Sequence, residues 1–159
     1  MRGALLFYGE GGCVGCHTGP LFTDQQYHTL AVPQLGPGKE RDGQGNVLGI
    51  DYGRFRETGN RQEQYAFRTP PLHNVAATAP YMHNGAYATL EAVIIHHMRP
   101  QTALENYDPG AHLPPLFRET YNGDDALQNS MLARLDEDLA AVGRLNDAEI
   151  ADLSLFWMR

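Results

Sequence analysis

The window Cys13-Val14-Gly15-Cys16-His17 constrains this chain more than any other stretch. Two thiols at this spacing match the two vinyl groups along one edge of a haem. Each sulfur adds across one vinyl, and the next residue, His17, is then held against the iron, for which imidazole nitrogen is a good ligand. Other uses of the pair are weaker. A thioredoxin-like dithiol wants a strand before it and a helix N-terminus behind it. Here Gly9, Gly11, Gly12 and Gly15 surround the pair and no βαβ pattern appears. A zinc site wants a second ligand pair. The chain has only two cysteines, so zinc would have to recruit from its seven histidines. The motif therefore predicts one covalent haem c bound through Cys13 and Cys16, with His17 as an axial iron ligand.

The remaining sequence reads as a mainly α, cytochrome c-like single haem domain over residues 1–159, with long ordered loops near 20–64 and 100–124. Gly and Pro, at 17 and 10 residues, supply the loops. Residues 3–9 form a short apolar helix stopped by Gly9. The clearest helix spans 89–98, capped by Thr89 and ended by Pro100. Residues 125–141 carry Leu127, Met131, Leu132, Leu135 and Leu139 at helical spacing. A last helix begins at Asn146, with Glu149 placed for a capping box. The 20–64 region lacks periodicity, but Phe22, Tyr27, Leu30, Val32, Leu35, Tyr52 and Phe55 can pack, and a large flat haem is a suitable scaffold for it. The net charge of −7 argues against nucleic acid, which needs a basic face, and suits a basic redox partner. No apolar run is long enough for a membrane span. Haem attachment takes place outside the cytoplasm, yet Met1–Phe7 is too short for a signal peptide. A periplasmic or otherwise extracytoplasmic location is expected, with a signal preceding Met1 in the precursor.

The group across the iron from His17 decides between an electron carrier and a site for small ligands. Leu90, Val93, Ile94 and His97 fall at i, i+3, i+4 and i+7, which puts His97 on the buried face of its helix. Met98 lies on the edge of that face, and His96 shares a neighbouring stripe with Val93. His97 is the leading candidate and Met98 the alternative, followed by His83, Met82, Met131 or an open position. His83 precedes Asn84-Gly85, a turn signal. His28, His73 and His112 sit in loops and read as surface or structural. Arg68 and Arg54 are candidate partners for haem propionates, since guanidinium suits a carboxylate bidentately.

Two stretches carry a family resemblance. One is Gly11-Gly12-Cys13-Val14-Gly15-Cys16-His17-Thr18-Gly19-Pro20. The other runs from Phe67-Arg68-Thr69-Pro70-Pro71-Leu72 through Ala79-Pro80-Tyr81-Met82-His83-Asn84-Gly85 to Ala88-Thr89-Leu90-Glu91. Both resemble the bacterial dihaem cytochrome c peroxidases and their MauG-like relatives, and Leu145–Leu153 is similar to the last helix of many c-type cytochromes. The resemblance implies the C-terminal domain of such a protein, which holds the electron-transfer haem, with the peroxide-reacting haem on another domain. It implies that the distal-ligand position, Met in some members and Tyr in the MauG-like branch, falls on His97, with Met98 one residue late. His83 matches a family histidine near the haem. Thr78 and Pro80 match positions whose backbone carbonyls bind a calcium ion between the two domains, a reasonable use of hard oxygen ligands.

The resemblance thus implies an electron-entry module of a peroxidase-type oxidoreductase that reduces hydrogen peroxide. It would take electrons from a small redox donor protein and pass them to a second haem domain or a homo-oligomeric partner. The isolated chain is expected to turn over peroxide weakly or not at all. The alternative is a stand-alone monohaem carrier or haem sensor.

Overall fold

The computed structural model describes residues 2–46 and 48–158. Its α-helices are α1 (Arg2–Tyr8), α2 (Phe55–Thr58), α3 (Leu90–Met98), α4 (Pro100–Glu105), α5 (Pro109–His112), α6 (Pro115–Arg118), α7 (Asp125–Leu132) and α8 (Asp147–Trp157). Single 3₁₀ turns lie at Cys13–Gly15, Arg61–Glu63, Val75–Ala77 and Glu137–Ala141. The only sheet among the described residues pairs β1 (Tyr27–Thr29) with β2 (Ala66–Arg68), antiparallel, with His28 opposite Phe67. The fold is thus the helix-rich, cytochrome c-like kind that the sequence predicts.

The two terminal helices pack against each other because both carry apolar faces and one has a gap for the other. At Gly3 a Cβ would run into the Asp152 carbonyl and the Phe156 side chain, so only glycine lets α1 lie this close to α8. Leu6 and Phe7 of α1, Met98 of α3, and Leu145, Ile150 and Leu153 form the core there. Helix α8 starts where its sequence says it should. The Asn146 side chain accepts from Glu149 N, and the Glu149 carboxylate accepts in return from Asn146 N. A second core gathers Ala31, Tyr65, Leu104, Leu127 and Met131, and a third Val32, Ala86, Tyr87 and Tyr107.

The structure corrects two boundaries. Pro100 ends α3 but also opens α4, and the 100–124 stretch contains three short helices, each with Pro at its start. There the missing N–H is no loss, since the first helical donors have no partner in any case. The helix read over 125–141 stops at Leu132, and a 3₁₀ turn follows at Glu137–Ala141. The break is made by Asp136. Its backbone N–H donates to Thr29 O at 3.0 Å, its side chain caps Asp138 N, and its other oxygen holds His28. Leu135 still packs, against the second core, so its helical spacing reflects burial rather than helix.

Candidate functional site

Helix α1 ends at Tyr8, and the chain turns sharply through glycines into the Cys13–Gly15 turn. Gly11 passes so near the Leu6 carbonyl that a Cβ would sit 2.6 Å from it, and Gly12 has φ of 66° with the Ala141 carbonyl 2.5 Å from where its Cβ would be. These contacts wedge the Cys13–His17 window between α1 and the segment leading into α8, where Gly143 N donates to Gly11 O at 3.2 Å.

The window opens on a cavity of about 510 Å³. That lies within the ordinary range for a small-molecule or cofactor site. Cys13, Cys16 and His17 line one wall. The α3 stripe Leu90, Val93, Ile94 and His97 lines another, and β1 and β2 contribute His28 and Phe67. Cross-strand neighbours share a face, so the β1–β2 register itself presents this second pair to the cavity. Both cysteines are free thiols, and burial pushes each up to about 11. A dithiol redox centre needs the opposite, a thiol lowered toward its thiolate.

Of the four histidines that line the cavity, His17 and His97 are prepared alike. His17 Nδ1 lies 3.0 Å from Phe22 O, and His97 Nδ1 lies 2.8 Å from Val93 O. A carbonyl only accepts, so in each ring Nδ1 carries the proton and Nε2 keeps its lone pair. Burial lowers His17 to about 4 and lowers His97 as well, so both rings are neutral at ordinary pH. Neutral imidazole with its other nitrogen held by a backbone carbonyl is the usual form of a metal-ligating histidine. The largely apolar cavity, the paired thiols at one edge and the two ready imidazoles fit a haem.

The other candidates are placed differently. His96 is fully buried on the far side of α3. Its Nε2 donates to Leu30 O at 2.7 Å and its Nδ1 accepts from the Tyr87 hydroxyl at 2.8 Å. Met98 borders the cavity but belongs to the terminal-helix core, and its Sδ accepts from Leu145 N at 3.2 Å. Met131 is wholly buried in the second core, its sulfur near Gln34 Nε2, and does not line the cavity. His83 lines the cavity, stacked on Phe67 with ring centroids 3.5 Å apart, and burial lowers it to about 4. Met82 lies beside it. Arg68 stands exposed at the rim with Nη1 bonded to the Gln25 amide oxygen. Arg54 is absent from the cavity wall; it lies 4.0 Å over the Tyr27 ring and 3.4 Å from Glu63. Thr78 and Pro80 are exposed at the rim. His73 bonds Pro20 O at 2.6 Å, outside the wall, and His112 stacks on Tyr107.

One cluster escaped the sequence reading. His28, expected to be structural or on the surface, lines the cavity between two carboxylates, with Asp136 at 2.7 Å and Asp24 at 2.9 Å. Asp138 joins the group. Both ring nitrogens already have acceptors, so this is a hydrogen-bonded network bordering Cys16. The spacing of Asp24 and His28 hinted at it; Asp136 lies 108 residues away and gave no signal.

Comparison with known proteins agrees with this geometry. Residues 66–103 match the family described as RoxA-like, cytochrome c-like. Cytochrome c peroxidase IdrP1 of Pseudomonas sp. (strain SCT) is 37% identical over 113 residues, covering 58% of this chain and 29% of that protein. The methylamine utilization protein MauG of Methylorubrum extorquens is 36% identical, covering 62% of this chain and 24% of its own length. The chain is a relative of the bacterial cytochrome c peroxidases and MauG. A crystal structure of a MauG-like protein associated with microbial copper homeostasis superposes with a TM-score of 0.62 at 26% identity, covering 98% of this chain and 44% of that one. The chain thus spans under a third of the curated relatives' length. A cytochrome c-like domain of this kin carries haem c and serves haem-based electron transfer. Among the described residues no helix is long and apolar enough to cross a membrane.

Proposed function

We propose that the chain is the electron-entry haem module of a dihaem cytochrome c peroxidase-like oxidoreductase. Cys13 and Cys16 would hold one haem c through thioethers, and His17 and His97 would ligate its iron. The observation that carries this reading is the matched pair of neutral imidazoles on the cavity wall, each with Nδ1 fixed by a carbonyl and Nε2 free. Two protein ligands leave no coordination position for peroxide, so such a haem relays electrons and leaves peroxide reduction to another centre. Bis-histidine ligation sets a lower potential than histidine–methionine, because thioether favours reduced iron. Met98 is the weaker alternative, since its sulfur already accepts a backbone N–H in the core.

Around this centre the chain's own residues have simpler tasks. The α3 stripe and Phe67 exclude water. Arg68, at the rim, is placed to receive a propionate once it leaves Gln25. His83, neutral and stacked on Phe67, lines the cavity and would give a bound haem an apolar packing surface. A small, basic donor protein outside the cytoplasm suits the acidic surface. Calcium binding by the carbonyls of Thr78 and Pro80 would need further ligands from a second domain.

Visible spectra of the oxidised and reduced holoprotein test the reading. Low-spin bands in both states without a sulfur-to-iron band are expected; that band would transfer the ligand role to Met98. The purified chain is expected to turn over peroxide poorly, and vigorous turnover would overturn the division of labour.

A further inference from the structure

The far side of α3 holds a second arrangement that the haem site does not use. Tyr87 and Tyr107 are 3% and 8% exposed. Their rings lie 5.5 Å apart, and Tyr107 lies 5.0 Å from Tyr121, which is only half-buried. At the inner end the Tyr87 ring lies 5.3 Å from His96, whose ring is 6.5 Å from that of His97 on the cavity wall. An aromatic column therefore runs from the haem cavity to the surface, with no gap wider than that between neighbouring rings.

Its hydrogen bonds are specific. His96 Nε2 donates to the Leu30 carbonyl, so Nδ1 has the lone pair and accepts the Tyr87 hydroxyl at 2.8 Å. Among the described residues Tyr87 is the only tyrosine hydrogen-bonded to a histidine. The Tyr107 hydroxyl donates to the Ala86 carbonyl, Tyr121 accepts from Gln128, and Tyr65 meets Ser130. A carbonyl or a serine is no base. A phenol held against imidazole can lose an electron and pass its proton along an existing hydrogen bond, so no charge is stranded on the ring.

We propose that Tyr87 and His96 form a redox-active pair that supplies an electron to an oxidised haem in the cavity, with Tyr107 and Tyr121 as the outward relay. The oxidant is the hole left on that haem when it gives an electron to the separate, peroxide-oxidised centre of the proposed enzyme. One electron leaves the Tyr87 phenol for that hole, and the phenolic proton moves to His96 Nδ1. An external reductant at the surface returns the electron across the Tyr121 and Tyr107 rings, and the proton goes back from His96 Nδ1 to the Tyr87 oxygen, so that only an electron crosses the column. Burial of Tyr87 raises its hydroxyl well above the ordinary value, so the group reacts as the neutral phenol rather than as phenolate. The inference rests on the haem reading for the position of the oxidant, and on no choice between His97 and Met98.

The test uses the holoprotein with zinc exchanged for iron, so that light generates the hole whatever the axial ligand. Photoexcited zinc porphyrin gives one electron to a viologen acceptor, and the porphyrin cation takes one back from the protein. A phenoxyl signal in electron paramagnetic resonance is expected in the wild type, formed more slowly in D₂O. Tyr87→Phe is expected to lose most of it and to prolong the porphyrin cation. Tyr52→Phe, outside the column, is expected to leave it unchanged. A long-lived porphyrin cation without phenoxyl in the wild type overturns the proposal, as does an undiminished signal in Tyr87→Phe. Peptide mapping of the irradiated wild type needs no variant to fold. Oxidation is expected at Tyr87, Tyr107 and Tyr121, and oxidation confined to Tyr52 and Tyr65 overturns the relay. A failed haem reading shows separately, in the spectrum of the iron protein.

Discussion

His28 gives the sharpest test of how the site is held together. Its side chain is only 13% exposed, and its two nitrogens face Asp136 at 2.7 Å and Asp24 at 2.9 Å. Carboxylates only accept, so both bonds are made at once only by the imidazolium. Burial works against that charge, but the two hydrogen bonds and the two negative charges outweigh it, and His28 is raised above its ordinary 6.5. Asp24 moves the other way. Burial opposes its charge as well, yet the bonds from Gln26, His28 and Thr69 draw it below 3.8. The folded state therefore holds the His28 proton more tightly than the unfolded chain does. That contribution is fully present below 6.5 and disappears as pH rises through the raised folded value, at up to about 1.4 kcal/mol per pH unit for the one proton. On the acid side the Asp24 contribution is lost as pH falls through its depressed folded value. Stability from this network thus peaks between the ordinary carboxylate and imidazole ranges. Charge-assisted hydrogen bonds contribute about 1.5–3 kcal/mol each, and removing the cation also leaves two half-buried carboxylates facing each other. Since the two bonds act as one unit, His28→Gln is expected to destabilise by about 3 kcal/mol near pH 6, and by progressively less as pH rises from there through the raised folded value. Guanidinium unfolding of both holoproteins, followed by circular dichroism across that range, reads the difference. A difference that does not change with pH would refute the reasoning, because it would mean that His28 is neutral and merely packs.

Three further outcomes follow from the same geometry. His97→Ala is expected to convert the haem to high spin in the visible spectrum rather than to recruit Met98, whose sulfur stays with Leu145 N–H; an unchanged low-spin spectrum would remove His97 as ligand. Gly12→Ala places a methyl group 2.5 Å from the Ala141 carbonyl at φ of 66°, and is expected to destabilise by at least about 1 kcal/mol and to lower the haem content per protein. Asn146→Ala removes the cap of α8 and is expected to cost about 1 kcal/mol, read as a lowered Tm with an unchanged haem spectrum.

What the sequence disclosed follows from how local each interaction is. The thiols and His17 lie within five consecutive residues, and a helical stripe repeats within one element, so Leu90, Val93, Ile94 and His97 could be assigned to one face before any fold was known. Periodicity also tells apart two adjacent histidines. A step of about 100° along a helix turns His97 to the cavity and His96 to Tyr87 and Leu30. Interactions that close across the chain left no such trace. The Asp24–His28–Asp136 network joins β1 to a turn 108 residues away, and the β1–β2 ladder is three residues deep on each side. The same turn shows why apolar spacing misled at Leu135 and Leu139. There Asp136 satisfies three partners at once, Thr29 O, Asp138 N and His28, which a continued helix would have to forgo. Burial sets the spacing of leucines, but polar groups decide whether the backbone between them can stay helical. In this fold they decide it beside the haem cavity, so the break in the predicted helix is also what brings Asp136 to the site.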